Sequence, residues 1–149
     1  PEGSAIGAVD LQTFIGPCRV IHAIGSGPLV RPEHIAHAMD QLPPRVLVRV
    51  YERMPQDRFD NDLPAFAPET IALLADRGVV LIGIDSASVD PAESKTLDSH
   101  QVLRQRGLRV LENLLLDEVP EGDYELIALP LKLMQAEASP VRAVLRSLA

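Results

Sequence analysis

The stretch Val79-Val80-Leu81-Ile82-Gly83-Ile84 is apolar without a break and stops at Asp85. A strand with one wet face alternates apolar and polar residues. A strand with no polar alternate is covered on both faces, as in a parallel sheet held between two layers. The stretch is also far too short to cross a bilayer. Its surroundings follow the same logic. Pro68 is set to open a helix whose apolar stripe is Ile71, Leu74 and Ala75, and Gly78 is placed to end it. Upstream, residues 45–51 read as a second strand, with Val46, Val48 and Val50 on one face and Arg45, Leu47 and Arg49 on the other.

Residues 17–24, β-branched and set between Gly16 and Gly25, predict the first strand. After a turn at residues 25–28, Pro32 opens a helix with Ile35, Met39 and Leu42 on one face, and Pro43-Pro44 stops it. Residues 52–67 are polar, carry the Asp60-Asn61-Asp62 triplet and read as a long surface loop, a kind that often carries function. A second polar loop covers residues 86–95. Asp98 or Ser99 can cap a helix that carries Val102 and Leu103 and ends at Gly107. A short strand at 108–112, a turn at 117–123 and a strand at 124–133 follow, with Pro130 marking an edge or a bulge. Ser139-Pro140 opens a last helix over 141–148. The order β-α-β-α-β-α-β-β-α predicts an α/β layered domain with at least part of its sheet parallel, a single domain over residues 1–149.

Charge narrows the range of partners. The 14 Lys and Arg against 21 Asp and Glu give a net charge of −7 and a pI near 5.0. Nucleic acids and anionic membranes both select basic surfaces, so neither is expected as a partner. With Cys18 as the only cysteine there is no internal disulfide, which suits a reducing compartment. No basic-then-apolar leader is present, so a cytoplasmic location is expected. The opening Pro1-Glu2-Gly3-Ser4 reads as a loop cut open, which suggests a fragment or a trimmed chain.

His100 and Glu112 are the leading candidates for chemistry. A helix from His100 to Gly107 runs outward by about 10 Å, and a strand from Gly107 to Glu112 can return about 16 Å, so the two side chains can meet. Imidazole and carboxylate together suit Zn²⁺ or a similar divalent ion. Two ligands do not make a site, and the alternative is a helix-start histidine and a strand-ending glutamate. Asp85 stands at the carboxyl end of a buried strand, where α/β sheets bind ligands, or else it is a turn-forming aspartate. The other candidates read as structural. His34 and His37 lie on a solvated helix face, His22 is a satisfied core histidine, and Cys18 is a buried thiol. Asp60-Asn61-Asp62 lacks the glycine and terminal glutamate of a calcium loop. Gly25-Ser26-Gly27-Pro28 loses a phosphate-cradling donor at Pro28. Arg142 is placed to pair with an acid near the site.

Several segments together carry a resemblance. They are Gly16-Pro17-Cys18-Arg19-Val20-Ile21-His22, Leu81-Ile82-Gly83-Ile84-Asp85-Ser86, Ser88-Val89-Asp90-Pro91 and Glu93-Ser94-Lys95-Thr96. Further along are Ser99-His100, Leu111-Glu112-Asn113, the run from Gly122 to Leu133, and Ala138-Ser139-Pro140-Val141-Arg142-Ala143-Val144-Leu145-Arg146. Over nearly the whole chain, and in order, this resembles the bacterial kynurenine formamidases, arylformamidases of the metal-dependent cyclase family. The resemblance implies a swivelling β/β/α layered domain with a mixed sheet, which forms a homodimer. It implies a divalent metal centre, often two zinc ions, and hydrolysis of N-formylkynurenine to kynurenine and formate in tryptophan breakdown. His100 and Glu112 match the family's metal ligands.

The family's other ligands and its general-base histidine lie in a segment of the form His-x-Gly-x-His-x-Asp-x-Pro, which nothing here matches. The resemblance therefore places no catalytic residue in these 149 residues, and the chain alone is expected to bind metal poorly and to be inactive. Glu137 stands where the family commonly has Asp. The substrate's aryl ring needs an apolar pocket. At 3% aromatic residues, aliphatic side chains or a dimer partner are expected to line much of it. Two other readings are open: an isatin hydrolase-like amide hydrolase of the same family, and a truncated, non-catalytic dimerisation or binding module.

Overall fold

In the computed structural model, which describes residues 4–148, the last four residues of the unbroken apolar stretch become β5 of a six-stranded mixed sheet, while Val80 ahead of them is exposed. In chain order the strands are β1 (Ile15–His22), β2 (Leu29–Val30), β3 (Arg45–Arg49), β4 (Ala65–Phe66), β5 (Leu81–Ile84), β6 (Arg109–Leu111), β7 (Gly122–Ile127) and β8 (Val144–Ser147). The helices are α1 (Pro32–Ile35), extended by a 3₁₀ turn at Ala36–Ala38, then α2 (Pro68–Asp76) and α3 (Asp98–Arg106). The large sheet runs β6-β5-β3-β1-β7-β8, while β2 and β4 form a separate pair. β1, β3, β5 and β6 are parallel, and β7 and β8 join antiparallel on the far side of β1. The α/β layered class with a mixed sheet is thus the observed one.

The two faces of the sheet carry two cores. Val46, Val48, Ile82 and Ile84 face Ile71 and Leu74 of α2 and Leu103 of α3. Leu47 and Leu81 point the other way, onto Phe14, Leu116 and Leu126. The alternation read along residues 45–51 therefore maps onto opposite faces, and burying each such side chain contributes about 1.5–3 kcal/mol. Gly83 interrupts the apolar stretch for a steric reason. A methyl group there would overlap Leu47 Cδ2 and stand 2.8 Å from Leu114 Cδ1. Arg45 is buried at the start of β3, where its guanidinium donates to the carbonyls of Thr13 (2.8 Å), Pro17 and Gln12. Those bonds make its burial tolerable.

Several elements differ from expectation. The last helix is instead strand β8, paired with β7. Val141, Ala143 and Leu145 are half-buried against the second core while Arg142, Val144 and Arg146 are exposed, a period of two rather than 3.6. The strand expected at 124–133 stops at Ile127, short of Pro130, and begins at Gly122. α1 is a single turn, yet Met39 and Leu42 still pack on the first core. The long loop is not all surface. Leu63, Ala65, Phe66 and Ala67 at its end are buried, with β4 formed inside it.

Candidate metal centre

The carboxyl ends of β5 and β6 lead into the segments that carry the candidate residues. His100 lies in the first turn of α3, and the cap of that turn comes from neither Asp98 nor Ser99. It comes from Asp90, in the loop after β5. Its Oδ1 accepts the Ser99 N–H at 2.8 Å and its Oδ2 accepts the His100 N–H at 3.0 Å. The same Oδ2 lies 2.6 Å from His100 Nδ1, and the Asp90 side chain is 2% exposed. A carboxylate accepts and does not donate, so Nδ1 carries the ring proton and Nε2 presents a lone pair. The helix start is pinned further by Ser99, whose hydroxyl donates to Phe66 O at 2.9 Å. Leu97, just before α3, sits at φ +52°, a left-handed conformation unusual for leucine.

Glu112 leaves the end of β6. Its Oε1 accepts the Val89 N–H at 2.9 Å and stands 3.6 Å from His100 Nε2. The next residue, Asn113, turns through φ +62°, which asparagine tolerates, and its N–H bonds Ser86 O at 2.8 Å. The helix-out, strand-back path thus brings the imidazole and the carboxylate together. The result is a lone pair facing a carboxylate oxygen, an arrangement that calls for a cation or a proton between them. Two ligands bound to one tetrahedral zinc at about 2.0–2.2 Å stand roughly 3.4 Å apart. The pair fits as two ligands of one ion. Among the described residues, no group of three or more His, Cys, Asp or Glu side chains is arranged to hold a metal. Asp90 serves behind the imidazole, in the place a supporting carboxylate takes at metal centres.

Asp85 has a different task. It is fully buried, and its two oxygens accept the N–H groups of Val50 (2.8 Å) and Tyr51 (3.3 Å), so it fastens the chain where β3 ends. Burial outweighs those donors and pushes its carboxyl up to about 6. The folded state therefore favours the protonated acid. This contribution is complete below the ordinary carboxyl value and is lost as pH rises through about 6. Relative to Asp85→Asn, the wild type is expected to gain on the order of 2 kcal/mol as pH falls from about 7 to about 4. Urea unfolding of both proteins across that range measures it, and parallel curves would contradict it.

The other histidines, Cys18 and Asp60 have structural partners or surroundings. His22 Nε2 donates to Val119 O at 2.9 Å. His34 Nδ1 accepts the Arg31 N–H at 2.9 Å, and His37 Nε2 lies 2.9 Å from Glu121 Oε2. Burial pushes the Cys18 thiol up to about 12, which leaves it un-ionised at neutral pH and a poor nucleophile. Asp60 takes hydrogen bonds from the Tyr51 hydroxyl and the Asp62 N–H. Arg142, expected to pair with an acid near the site, is instead exposed and forms no ion pair among the described residues. Asp90 is the residue the sequence reading did not single out. Its only signal was its place inside Ser88-Val89-Asp90-Pro91.

Comparison with known proteins adds to this geometry. A family described as "Putative cyclase" matches residues 1–91. The chain is similar to the kynurenine formamidase of Paracidovorax citrulli, with 73% identity over 99% of this chain and 70% of that protein. It is also similar to the kynurenine formamidase of Delftia acidovorans, with 71% identity over 99% of this chain and 70% of that one. Among solved structures it resembles a potential metal-dependent hydrolase with cyclase activity, at a TM-score of 0.82 and 28% identity, over 93% of this chain and 68% of that one. Isatin hydrolase A from Labrenzia aggregata shares the fold at a TM-score of 0.76 and 23% identity, over 93% of this chain and 63% of that one.

Proposed function

This chain belongs to the cyclase family, and on that premise we propose that the protein is a metal-dependent arylformamidase that hydrolyses N-formyl-L-kynurenine to L-kynurenine and formate. The observation that carries the reading is the 3.6 Å juxtaposition of His100 Nε2 and Glu112 Oε1. It occurs in a chain 73% identical to a kynurenine formamidase. Zinc is the proposed ion, since one nitrogen and one carboxylate oxygen are donors it favours. Two ions per site, a homodimer and a cytoplasmic role in tryptophan breakdown belong to the same proposal.

A formamide carbon is a poor electrophile. His100 and Glu112 would hold a divalent cation, and the chemistry it would supply is Lewis acidity toward the formyl group and a lowered pKa for water. The chain's own contribution is orientation. Asp90 holds the Nδ1 proton and keeps Nε2 free to ligate. The Val89 N–H holds Glu112 Oε1 and fixes the carboxylate's direction. The other three histidines already bond Val119, Arg31 and Glu121, so proton transfer is assigned to none of them.

The test is turnover by protein made from the full native reading frame, followed by the absorbance of kynurenine. N-formyl-L-kynurenine is expected to be cleaved with a kcat/KM at least about 100-fold above that for isatin, a preference of about 3 kcal/mol. Chelation is expected to abolish activity and added zinc to restore it. Preference for isatin, or no turnover by metal-loaded protein, would overturn the reading.

A further inference from the structure

A cavity of about 410 Å³, whose lining includes Met54, Arg58, Phe59, Asp60, Asn113 and Leu115, borders the segments that carry the His100–Glu112 pair. Chain connectivity links its wall to the pair. Asn113 follows Glu112 directly, and Ala87, also on its wall, precedes Val89, whose N–H holds Glu112 Oε1, by two residues. Its size suits a small molecule.

The composition of the wall is unusual for this chain. Of its three phenylalanines, Phe14 and Phe66 are buried in the cores, whereas Phe59 is 61% exposed and lines this cavity, as does Leu115 at 58%. The loop that presents Phe59 is tied down at several points. The Arg49 guanidinium donates to Tyr51 O (3.0 Å) and Glu52 O (2.7 Å). The Met54 N–H donates to Asp117 (2.8 Å), and the Tyr51 hydroxyl donates to Asp60 (2.8 Å). Exposed apolar side chains on a fastened loop form a preorganised contact surface. The cavity also carries both signs of charge. Arg58 is exposed and in no ion pair among the described residues, and Asp60 lies two residues on with lone pairs to spare.

We propose that this cavity receives the part of the substrate remote from the formyl group: Met54, Phe59 and Leu115 cover the aryl ring, the Arg58 guanidinium takes the α-carboxylate, and Asp60 takes the α-ammonium. A guanidinium fork matches a carboxylate in two hydrogen bonds, and a zwitterionic head needs one group of each sign close together. The proposal rests on the formamidase reading and goes beyond it by naming the residues that select an amino-acid-bearing substrate.

The test compares two substrates on the metal-loaded native protein, N-formyl-L-kynurenine and 2′-formamidoacetophenone, which lacks the amino-acid head. Arg58→Ala is expected to lower kcat/KM on the first at least tenfold more than on the second, mainly through KM. Arg58→Lys is expected to recover part of that loss. Phe59→Ala is expected to weaken both substrates about tenfold. Calorimetric binding of L-kynurenine provides a readout without turnover, and Arg58→Ala is expected to weaken it at least tenfold. Equal effects of Arg58→Ala on the two substrates, unchanged kynurenine binding, or the same discrimination lost through Arg142→Ala instead would overturn the pocket while the formamidase reading stands. Wild-type protein that hydrolyses neither compound would overturn that reading and the pocket with it.

Discussion

Glu112→Gln is expected to lower kcat/KM on N-formyl-L-kynurenine by about 1,000-fold, close to 4 kcal/mol of lost transition-state stabilisation, and to strip the bound metal at the same time. The substitution conserves shape and keeps an oxygen for the Val89 N–H, so the end of β6 is held as before. What changes is the charge, since one atom, Oε1, both accepts the Val89 N–H and faces His100 Nε2. The carboxylate binds a divalent cation strongly, whereas the neutral amide oxygen in its place is a weak ligand and no longer sets a negative charge 3.6 Å from the imidazole lone pair. The metal-free variant is therefore expected to melt no lower than the metal-free wild type, even though it has lost function. His100→Ala removes the other ligand and is expected to lose metal and activity to a similar extent. Metal content by mass spectrometry, initial rates and thermal melts on the same preparations check all three expectations. A Glu112→Gln protein with full metal and full activity would show that this pair is not the metal centre.

Much of this arrangement could be read from residue order. The alternation of Val46, Leu47, Val48 and Arg49 specifies which side of β3 meets which core, because a strand has a fixed period of two and each face has its own partners. Gly78 and Gly107 end α2 and α3 because both adopt positive φ (84° and 67°), where other residues are strained. The meeting of His100 and Glu112 followed from path lengths, since a short helix and a short strand leave few places for the chain to return. β8 was misread because Ser139-Pro140 is a strong local helix-start signal. Residues 141–147 are instead recruited by pairing with β7, and that choice depends on an edge contributed from elsewhere in the sequence. Asp90 was missed for a related reason. A cap supplied from within three residues leaves a local signature. Asp90 lies ten residues before His100 and reaches it only once β5 and α3 are packed. Composition alone leaves the aryl pocket to aliphatic side chains or a dimer partner, because it counts aromatics without locating them, and Phe59 is exposed on a cavity wall.

Asp90 is where stability and ligand geometry are expected to separate. Asp90→Ala removes the acceptor for the Ser99 N–H, the His100 N–H and His100 Nδ1 together, at a position with a 2% exposed side chain. Losing a helix cap costs about 1–2 kcal/mol, and each buried donor left unpaired adds about 1–3 kcal/mol. Partial relaxation leaves an expected loss of about 3–5 kcal/mol, which lowers Tm by roughly 10 °C for a domain of this size. That variant tests the cap and says little about the metal. Asp90→Asn tests the ligand. An oxygen in the place of Oδ1 keeps the Ser99 N–H, whereas the His100 N–H, which shares Oδ2 with Nδ1, loses its acceptor, so the melt is expected to fall by about half as much. The NH₂ group now faces Nδ1 and donates to it, and the ring proton moves to Nε2, the atom that must be bare to bind a cation. Metal affinity is expected to drop about 10–100-fold, in line with the loss of such supporting carboxylates elsewhere. The imidazole ¹⁵N shifts of the metal-free protein should report the exchanged tautomer directly. Asn at this position with wild-type metal affinity and an unchanged tautomer would mean that Asp90 only caps α3, and that the direction of the imidazole is set by something else.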